Sequence, residues 1–163
     1  MSTTLSLPRR ILAVFSGGFF GTIIRYLLST LIQTYLGKGW PYDILIINIT
    51  GAFMLACITT LADATVLIGP TRRLVINVGF LGAYTTFSSL ALGDVLLFAN
   101  GHWLLALLYL VLSLGGGIVA VLAGDIVGNW CIKLVKNRRS PRTVQAMPKE
   151  DHLDVQDDLL LPD

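Results

Sequence analysis

Charged side chains are scarce in this sequence, and acidic ones are scarcer still. Aspartate, glutamate, lysine and arginine make up 13% of the 163 residues, whereas soluble domains carry about a quarter. Four aspartates are the only acidic residues before residue 150: Asp43, Asp63, Asp94 and Asp125. So few charges cannot cover a small soluble protein, and a mean hydropathy of +0.72 indicates lipid as the solvent. We expect Asp94 and Asp125 to be solvated near a membrane interface.

Cysteine and histidine are also rare, which limits the chemistry of the chain. Cys57 and Cys131 fall in apolar runs without metal-ligand spacing, so we expect buried apolar filler. His102 lies in a predicted loop and His152 in the C-terminal tail. The sequence has no Ser-His-Asp arrangement, no His-rich metal set and no phosphate loop. We therefore predict that the protein is not an enzyme.

Four apolar stretches are long enough to cross a bilayer, whose core of about 30 Å needs about 20 helical residues. Glycine, proline and aromatic residues separate them, as expected of turns at the headgroup level. These stretches predict an all-α, four-helix membrane domain over residues 1–136. The spans are predicted at about 11–35, 44–68, 74–99 and 103–135. Residues 137–163 are basic and then acidic, which predicts a disordered cytoplasmic tail.

Lysine and arginine residues predict the orientation of the spans. Ten of them lie at the N-terminus, between the second and third spans, and after the fourth, which is one side of a four-span protein. The opposite side has Lys38 alone. Because basic flanks stay in the cytoplasm, we predict a multi-pass plasma-membrane protein with both termini cytoplasmic. Basic clusters in short connectors fit membrane topology, so we expect no nucleic-acid partner.

Polar side chains inside a span are costly and need a partner or a function. Arg25 interrupts the first span. It either snorkels onto backbone carbonyls or provides a structural positive charge that attracts anions. Asn48 lies in the second span. It either joins two helices by hydrogen bonds or offers its NH₂ group to an anion. For an asparagine considered alone, the first role is favoured.

The third span contains the segment GFLGAYTTFSS at residues 79–89. Glycines and hydroxyl residues make a poor uninterrupted helix. A break near the middle of the span would free backbone carbonyls, which protein or an ion must then satisfy. A continuous helix whose hydroxyls bond back to their own carbonyls is the alternative, and it is favoured when the segment is considered alone.

The fourth span carries two polar residues and a series of small ones. Tyr109 and Ser113 are four positions apart and share a helix face, where they either line a path or join helices. Small residues recur every four positions and predict a tight helix–helix contact: Gly116, Ala120, Gly124 and Gly128.

Residues 79–88, GFLGAYTTFS, resemble the signature of the Fluc/CrcB family of fluoride channels. Shorter patterns of the family recur in order in the other spans, so that the resemblance covers about residues 11–130. They are Gly17-Gly18…Gly21…Arg25-Tyr26, Asn48-Ile49-Thr50-Gly51-Ala52-Phe53 and Tyr109…Ser113.

The resemblance implies a fluoride-specific channel subunit that lets F⁻ leave the cell passively. It implies an antiparallel dimer with two pores along the interface. It also implies that the third helix is broken near its middle, with a structural Na⁺, not transported, on the backbone carbonyls of Gly82 and Thr85. By the same resemblance, the fluoride pore is lined by Asn48, Phe87, Ser88, Ser89, Tyr109 and Ser113. Neutral hydroxyl and amide donors suit this task, because they replace the water of a small anion without trapping it.

Two positions depart from the family pattern. Leu90 stands where a second pore phenylalanine is usual, and Gly93, followed by Asp94, stands where glutamate is frequent. A phenyl edge is electropositive, whereas leucine has no such edge. We therefore expect the pore that this chain lines in part to be incomplete.

The charge bias suggests an unequal pair of subunits. A chain that forms an antiparallel homodimer must insert both ways, whereas this one is biased to one orientation. We therefore hypothesise that its partner is an oppositely oriented homologue that retains the missing pore residue. Two alternatives remain. One is a non-conducting accessory subunit of a heterodimeric channel, favoured by Leu90. The other is a small multidrug-type transporter, disfavoured because the first span has Arg25 and no carboxylate.

Overall fold

The computed structural model describes residues 6–64 and 69–139 of the chain, and this part is helical throughout apart from its short connections. It contains α1 (Leu7–Leu36), α2 (Tyr42–Ala64), α3 (residues 70–84), α4 (Phe87–Ala99) and α5 (Trp103–Arg139). Four segments are long and apolar enough to cross a membrane, the third being α3 and α4 together. The predicted four-span, all-α architecture is confirmed. The predicted end of the second span, at residues 65–68, and the tail from residue 140 lie outside the described residues.

Short turns join the helices at the positions that glycine and proline predict. Gly37 follows α1 and Gly101 lies between α4 and α5, both with φ of 79°. That backbone region is open to glycine at no steric cost. Pro70 occupies the first turn of α3, where its missing N–H has no helical partner to lose.

The α1–α3 contact brings two backbones together through glycine. A Cβ added at Gly17 would lie 2.0 Å from the carbonyl oxygen of Val75. One added at Gly21 would lie 2.3 Å from the carbonyl oxygen of Phe80. Gly17 and Gly21, four positions apart on one face of α1, therefore allow the close packing of α1 against α3.

Small residues of α5 pack in the same way against α2. A Cβ at Gly124 would lie 2.4 Å from the Phe53 carbonyl oxygen, and one at Gly128 would lie 2.9 Å from the Thr60 Cβ. At Gly116 an added Cβ would also meet a side chain of α2. The predicted contact along this series is confirmed, and it fixes α5 beside α2.

Two small clusters of buried side chains form the core of the described chain. Around them, the outer surface of the helices carries many large apolar side chains, as expected where lipid or another subunit replaces water. Cys57 and Cys131 are free and half-buried, so they are less buried than predicted. One cluster contains Leu90, Leu97, Ala106 and Tyr109, and the other contains Ile47, Leu81 and Tyr84.

The third span departs from a regular α-helix along much of its length. Leu74–Leu81 forms a π-helix, with α-helical turns at Pro70–Arg73 and Gly82–Tyr84 on either side. Such wide turns are rare in proteins and frequent at functional sites. The sequence did not predict this segment, because glycine and β-branched residues weaken a helix without specifying wider turns.

Candidate functional site

The third span is broken at Thr85 and Thr86, between α3 and α4. Thr85 has φ −80° and ψ 154°, and Thr86 has φ −151° and ψ 114°, so both are extended. The predicted break therefore lies at the two threonines, while Gly79 and Gly82 remain helical. Extended residues inside a helix leave backbone groups without their usual partners.

Asn48 of α2 binds both backbone groups of Thr86. Its Nδ2 donates to the Thr86 carbonyl oxygen at 3.0 Å, and its Oδ1 accepts from the Thr86 N–H at 2.8 Å. This contact joins α2 to the break, so Asn48 connects two helices by hydrogen bonds, which is one of its two predicted roles. The Oδ1 and the Nδ2 of Asn48 each make one hydrogen bond. The second N–H of Nδ2 has no hydrogen-bond partner among the described residues.

Of the two carbonyls predicted to hold Na⁺, that of Gly82 lies just before the break and that of Thr85 lies within it. In a continuous helix the Thr86 N–H would donate to the Gly82 carbonyl, but here it donates to Asn48. Thr85 still donates its own N–H to Leu81. Gly82 is exposed, and Thr85 is half-buried. Carbonyl oxygens released from helical bonding are suitable ligands for a hard cation, so this part of the chain fits the ion that the resemblance implies.

Hydroxyl groups gather at the start of α4. The Thr86 Oγ1 caps the helix, accepting from the Ser89 N–H at 3.2 Å and donating to the Ser89 Oγ at 3.0 Å. The Ser88 Oγ lies 3.2 Å from the same Thr86 oxygen. Because Ser89 accepts from Thr86, its own hydroxyl proton is free to donate elsewhere. Asn48, Ser88 and Ser89 are thus brought together through Thr86, which the sequence analysis did not assign to the site.

Phe87 and Leu90, one turn apart on α4, differ in burial. Phe87 is 77% exposed, next to the exposed Ser88. Leu90 is 7% exposed and packs in the core beside Tyr109. A phenyl ring so exposed needs lipid or another subunit to cover it. Leu90, in contrast, has its partners within its own chain.

Tyr109 and Ser113 are buried polar residues whose oxygens have no partner in the described part of the chain. Tyr109 is fully buried and Ser113 is 7% exposed, and no hydrogen bond reaches either hydroxyl. Trp40 contacts the Tyr109 ring edge-on, with centroids 5.3 Å apart. Buried polar groups are normally paired. These two hydroxyls therefore suit a ligand or ordered water.

Two carboxylates lie near Tyr109. Asp43 and Asp94 are both close enough to interact with its hydroxyl electrostatically. Asp94 is half-buried, and its Oδ1 is buried without a partner among the described residues, so the expectation that Asp94 is solvated is wrong for this oxygen. Asp125 is exposed as expected, and it accepts a hydrogen bond from Thr60 at 2.7 Å.

Asp43 belongs to a polar network that sequence reasoning missed. It is 4% exposed, and its Oδ2 accepts from the Ser29 hydroxyl and, at 2.8 Å, from Gln33 of α1. The i, i+4 spacing of Ser29 and Gln33 was the available signal. A cavity of about 470 Å³ opens beside this network and is lined in part by Ser29, Gln33, Lys38, Asp43, Ser89 and Asn100. It leads from the α1–α2 turn towards Ser89 at the break.

Arg25 stands apart from this cluster. Its side chain is half-buried on α1, and no ion pair or hydrogen bond to it is found within the described residues. The structure therefore does not join it to the other predicted site residues. Its two roles, a structural charge or an attractor of anions, stay predictions.

Comparison with known proteins gives one family. Residues 12–125 match the family model described as CrcB-like protein, Camphor Resistance (CrcB). The chain is 40% identical over 113 residues to a protein of Acidobacterium capsulatum, covering 69% of this chain and 90% of that protein. It is 39% identical over 120 residues to one of Chlorobium chlorochromatii, covering 74% and 92%. It is 34% identical over 119 residues to one of Chlorobaculum tepidum, covering 73% and 94%. Each relative is named fluoride-specific ion channel FluC.

Proposed function

The chain belongs to the CrcB family, and from this membership we infer that it is a subunit of a fluoride-specific ion channel, not an enzyme. It lets F⁻ leave the cell passively and so lowers cytoplasmic fluoride. The observation that carries this conclusion is the match to fluoride channels over most of their length. The four membrane-spanning segments and the broken third span agree with it.

The fluoride path follows the polar groups that have capacity to donate. Tyr109 and Ser113 offer buried hydroxyls with no partner in the described chain, and Ser89 has a free hydroxyl proton. Ser88 and Phe87 lie on the exposed side of the same helix start, and Asn48 keeps one N–H available. Neutral donors of this kind bind a small anion well enough to replace its water and weakly enough to release it.

The working channel is a dimer of antiparallel subunits. The exposure of Phe87 supports this, because a pore residue on the outer surface of one chain needs a second chain to complete the path. The charge bias supports an oppositely oriented homologue as partner, with this chain in the plasma membrane and both termini cytoplasmic.

A structural Na⁺ completes the site in this proposal. The carbonyls of Gly82 and Thr85 would hold it, since the Thr86 N–H is committed to Asn48. The ion would supply a positive charge that satisfies carbonyl oxygens freed within the membrane. The chain's own contribution is the extended backbone at Thr85 and Thr86 that turns these oxygens away from helical bonding.

One observation favours a second reading, a non-conducting accessory subunit. Leu90 is buried in the core of its own chain, so it offers no aromatic edge to an interface. In that reading the partner supplies every group that fluoride needs, and this chain provides only the surface against which the partner packs.

Fluoride efflux from liposomes tests the proposal. The purified chain is reconstituted alone, and fluoride and chloride electrodes follow release. Rapid fluoride release with chloride retained establishes a channel formed by this chain alone and removes the need for a different partner. Without release, the chain is reconstituted with the oppositely oriented homologue. Conduction that requires both chains then supports the heterodimer, whereas full conduction by the homologue alone identifies an accessory subunit.

A further inference from the structure

We propose that Asn48 is a positioning residue, whose amide stabilises the break between α3 and α4 and so leaves the Gly82 carbonyl free for a cation. This inference rests on the Na⁺ site of the proposed function. It gives Asn48 a task beyond the pore lining that the family resemblance implies.

The Asn48 amide takes the place of helical hydrogen-bond partners of Thr86. In a continuous helix the Thr86 N–H would donate to Gly82 and the Thr86 carbonyl would accept from Leu90. Asn48 instead accepts from that N–H at 2.8 Å and donates to that carbonyl at 3.0 Å. One side chain therefore supplies substitutes for both helical partners of a single residue.

The surroundings of Thr86 shield its backbone from water. Thr86 is 8% exposed, so water has little access to its backbone. A backbone polar group without a partner is costly in a membrane interior. If the Asn48 amide is removed, the lowest-cost remedy is a helical bond from the Thr86 N–H back to Gly82. That bond would occupy the carbonyl proposed to face the cation.

Close packing and a hydrogen bond hold α2 in register with the break. Gly51, one turn beyond Asn48, is packed so closely that an added Cβ would lie 2.3 Å from the Thr85 Cγ2. Thr50 and Tyr84 share a hydrogen bond of 2.9 Å. These contacts fix α2 beside the α3 end of the break, so the amide of Asn48 is presented to Thr86 at a set position.

Asn77 provides a matched comparison within the same chain. Its Nδ2 donates at 3.0 Å to the Thr59 hydroxyl, so it also joins two helices inside the membrane. However, it contacts a side chain and lies a full turn or more before the break. Loss of Asn77 removes a hydrogen bond between two helices. Loss of Asn48 also removes the side-chain hydrogen-bond partners of the Thr86 backbone.

The test measures whether Na⁺ stabilises the protein and whether Asn48 is needed for this. The full-length chain is purified in detergent, and Tm is measured in sodium chloride and in N-methyl-D-glucamine chloride at equal ionic strength. We expect Na⁺ to raise the Tm of the wild type, because a ligand that binds the folded state stabilises it. Asn48→Ala should lose most of this Na⁺-dependent rise. Asn77→Ala should keep it, although its Tm is lower in both salts.

Each outcome decides the proposal. An Asn48→Ala chain that is less stable but keeps the wild-type rise in Na⁺ overturns the positioning role and leaves the cation site standing. If that variant does not fold, Asn48→Ser, whose shorter polar side chain weakens both contacts to Thr86, is measured instead and should show a reduced rise. A wild type without any rise overturns the cation site and this role together. The channel proposal is then still decided separately, by fluoride efflux.

Discussion

At the scale of single residues, the clearest feature is a tyrosine hydroxyl buried without a partner in the described chain. Tyr109→Phe removes this oxygen and keeps the ring. A hydrogen bond to a charged group contributes about 1.5–3 kcal/mol, so we expect fluoride efflux to slow roughly 10- to 100-fold. Stability should not fall, because no protein hydrogen bond among the described residues is lost. Efflux from liposomes and Tm in detergent measure the two effects.

Tyr35→Phe is the control for this variant, since Tyr35 is 80% exposed near the end of α1. It should leave both efflux and Tm unchanged. Wild-type efflux in the Tyr109→Phe channel would show that the hydroxyl lies off the fluoride path and is satisfied by water.

Leu90→Phe restores the residue that the family usually has at this position. Because Leu90 is packed in its own core, the larger ring should cost about 1–3 kcal/mol of stability and should not speed fluoride efflux. Leu92→Phe, on an exposed position of the same helix, should be tolerated. Faster efflux in Leu90→Phe at unchanged Tm would contradict the packing role and support a lost pore residue.

Single residues could be predicted where the signal is local. Tyr109 and Ser113 stand out because two polar residues four apart share a face of an apolar helix. Asp43 and Thr86 were missed because their partners come from other elements. Asp43 binds side chains on α1, and Thr86 binds an amide 38 positions earlier. Spacing within one segment does not reveal such partners.

At the scale of helices, the α1–α3 contact depends on the absence of a side chain. In Gly21→Ala the new methyl group would meet the Phe80 backbone, which cannot retract as a flexible side chain does. We expect a loss of about 1–3 kcal/mol, measured as a lower Tm or as less folded protein in detergent. Gly115→Ala, with open space around it, should be neutral or stabilising by up to about 1 kcal/mol. Equal Tm values for the two variants would contradict this account of the contact.

Hydropathy predicted the helices well, but it did not predict their irregularities. Span limits agree within a few residues where the structure describes them, because about 20 apolar residues are needed to cross a bilayer. Residues 79–89 considered alone favoured a continuous helix, and the break was expected from the family resemblance. Its position at Thr85 and Thr86 is where the Asn48 amide binds the backbone. The π-helix of Leu74–Leu81 had no local signal in the sequence, and it lies where α3 packs closely against α1.

At the scale of the whole molecule, the charge layout makes one strong prediction. Tags at either terminus should be protected from outside reagents in intact cells and become accessible after permeabilisation. A mixed population of inside and outside tails would contradict a single orientation, and with it the need for an oppositely oriented homologue. As a control, a tag in the α1–α2 turn, where Lys38 lies, should be accessible without permeabilisation.

The break also has an electrical consequence for the assembled protein. A helix carries partial negative charge at its C-terminus and partial positive charge at its N-terminus. At residues 85–86 the negative end of α3 meets the positive end of α4, within the membrane and next to Asn48. In an unbroken span these two poles would cancel. Because the poles are separated, one short gap can attract a cation on one side and an anion on the other. A substitution that makes the third span a continuous helix would therefore weaken both attractions at once.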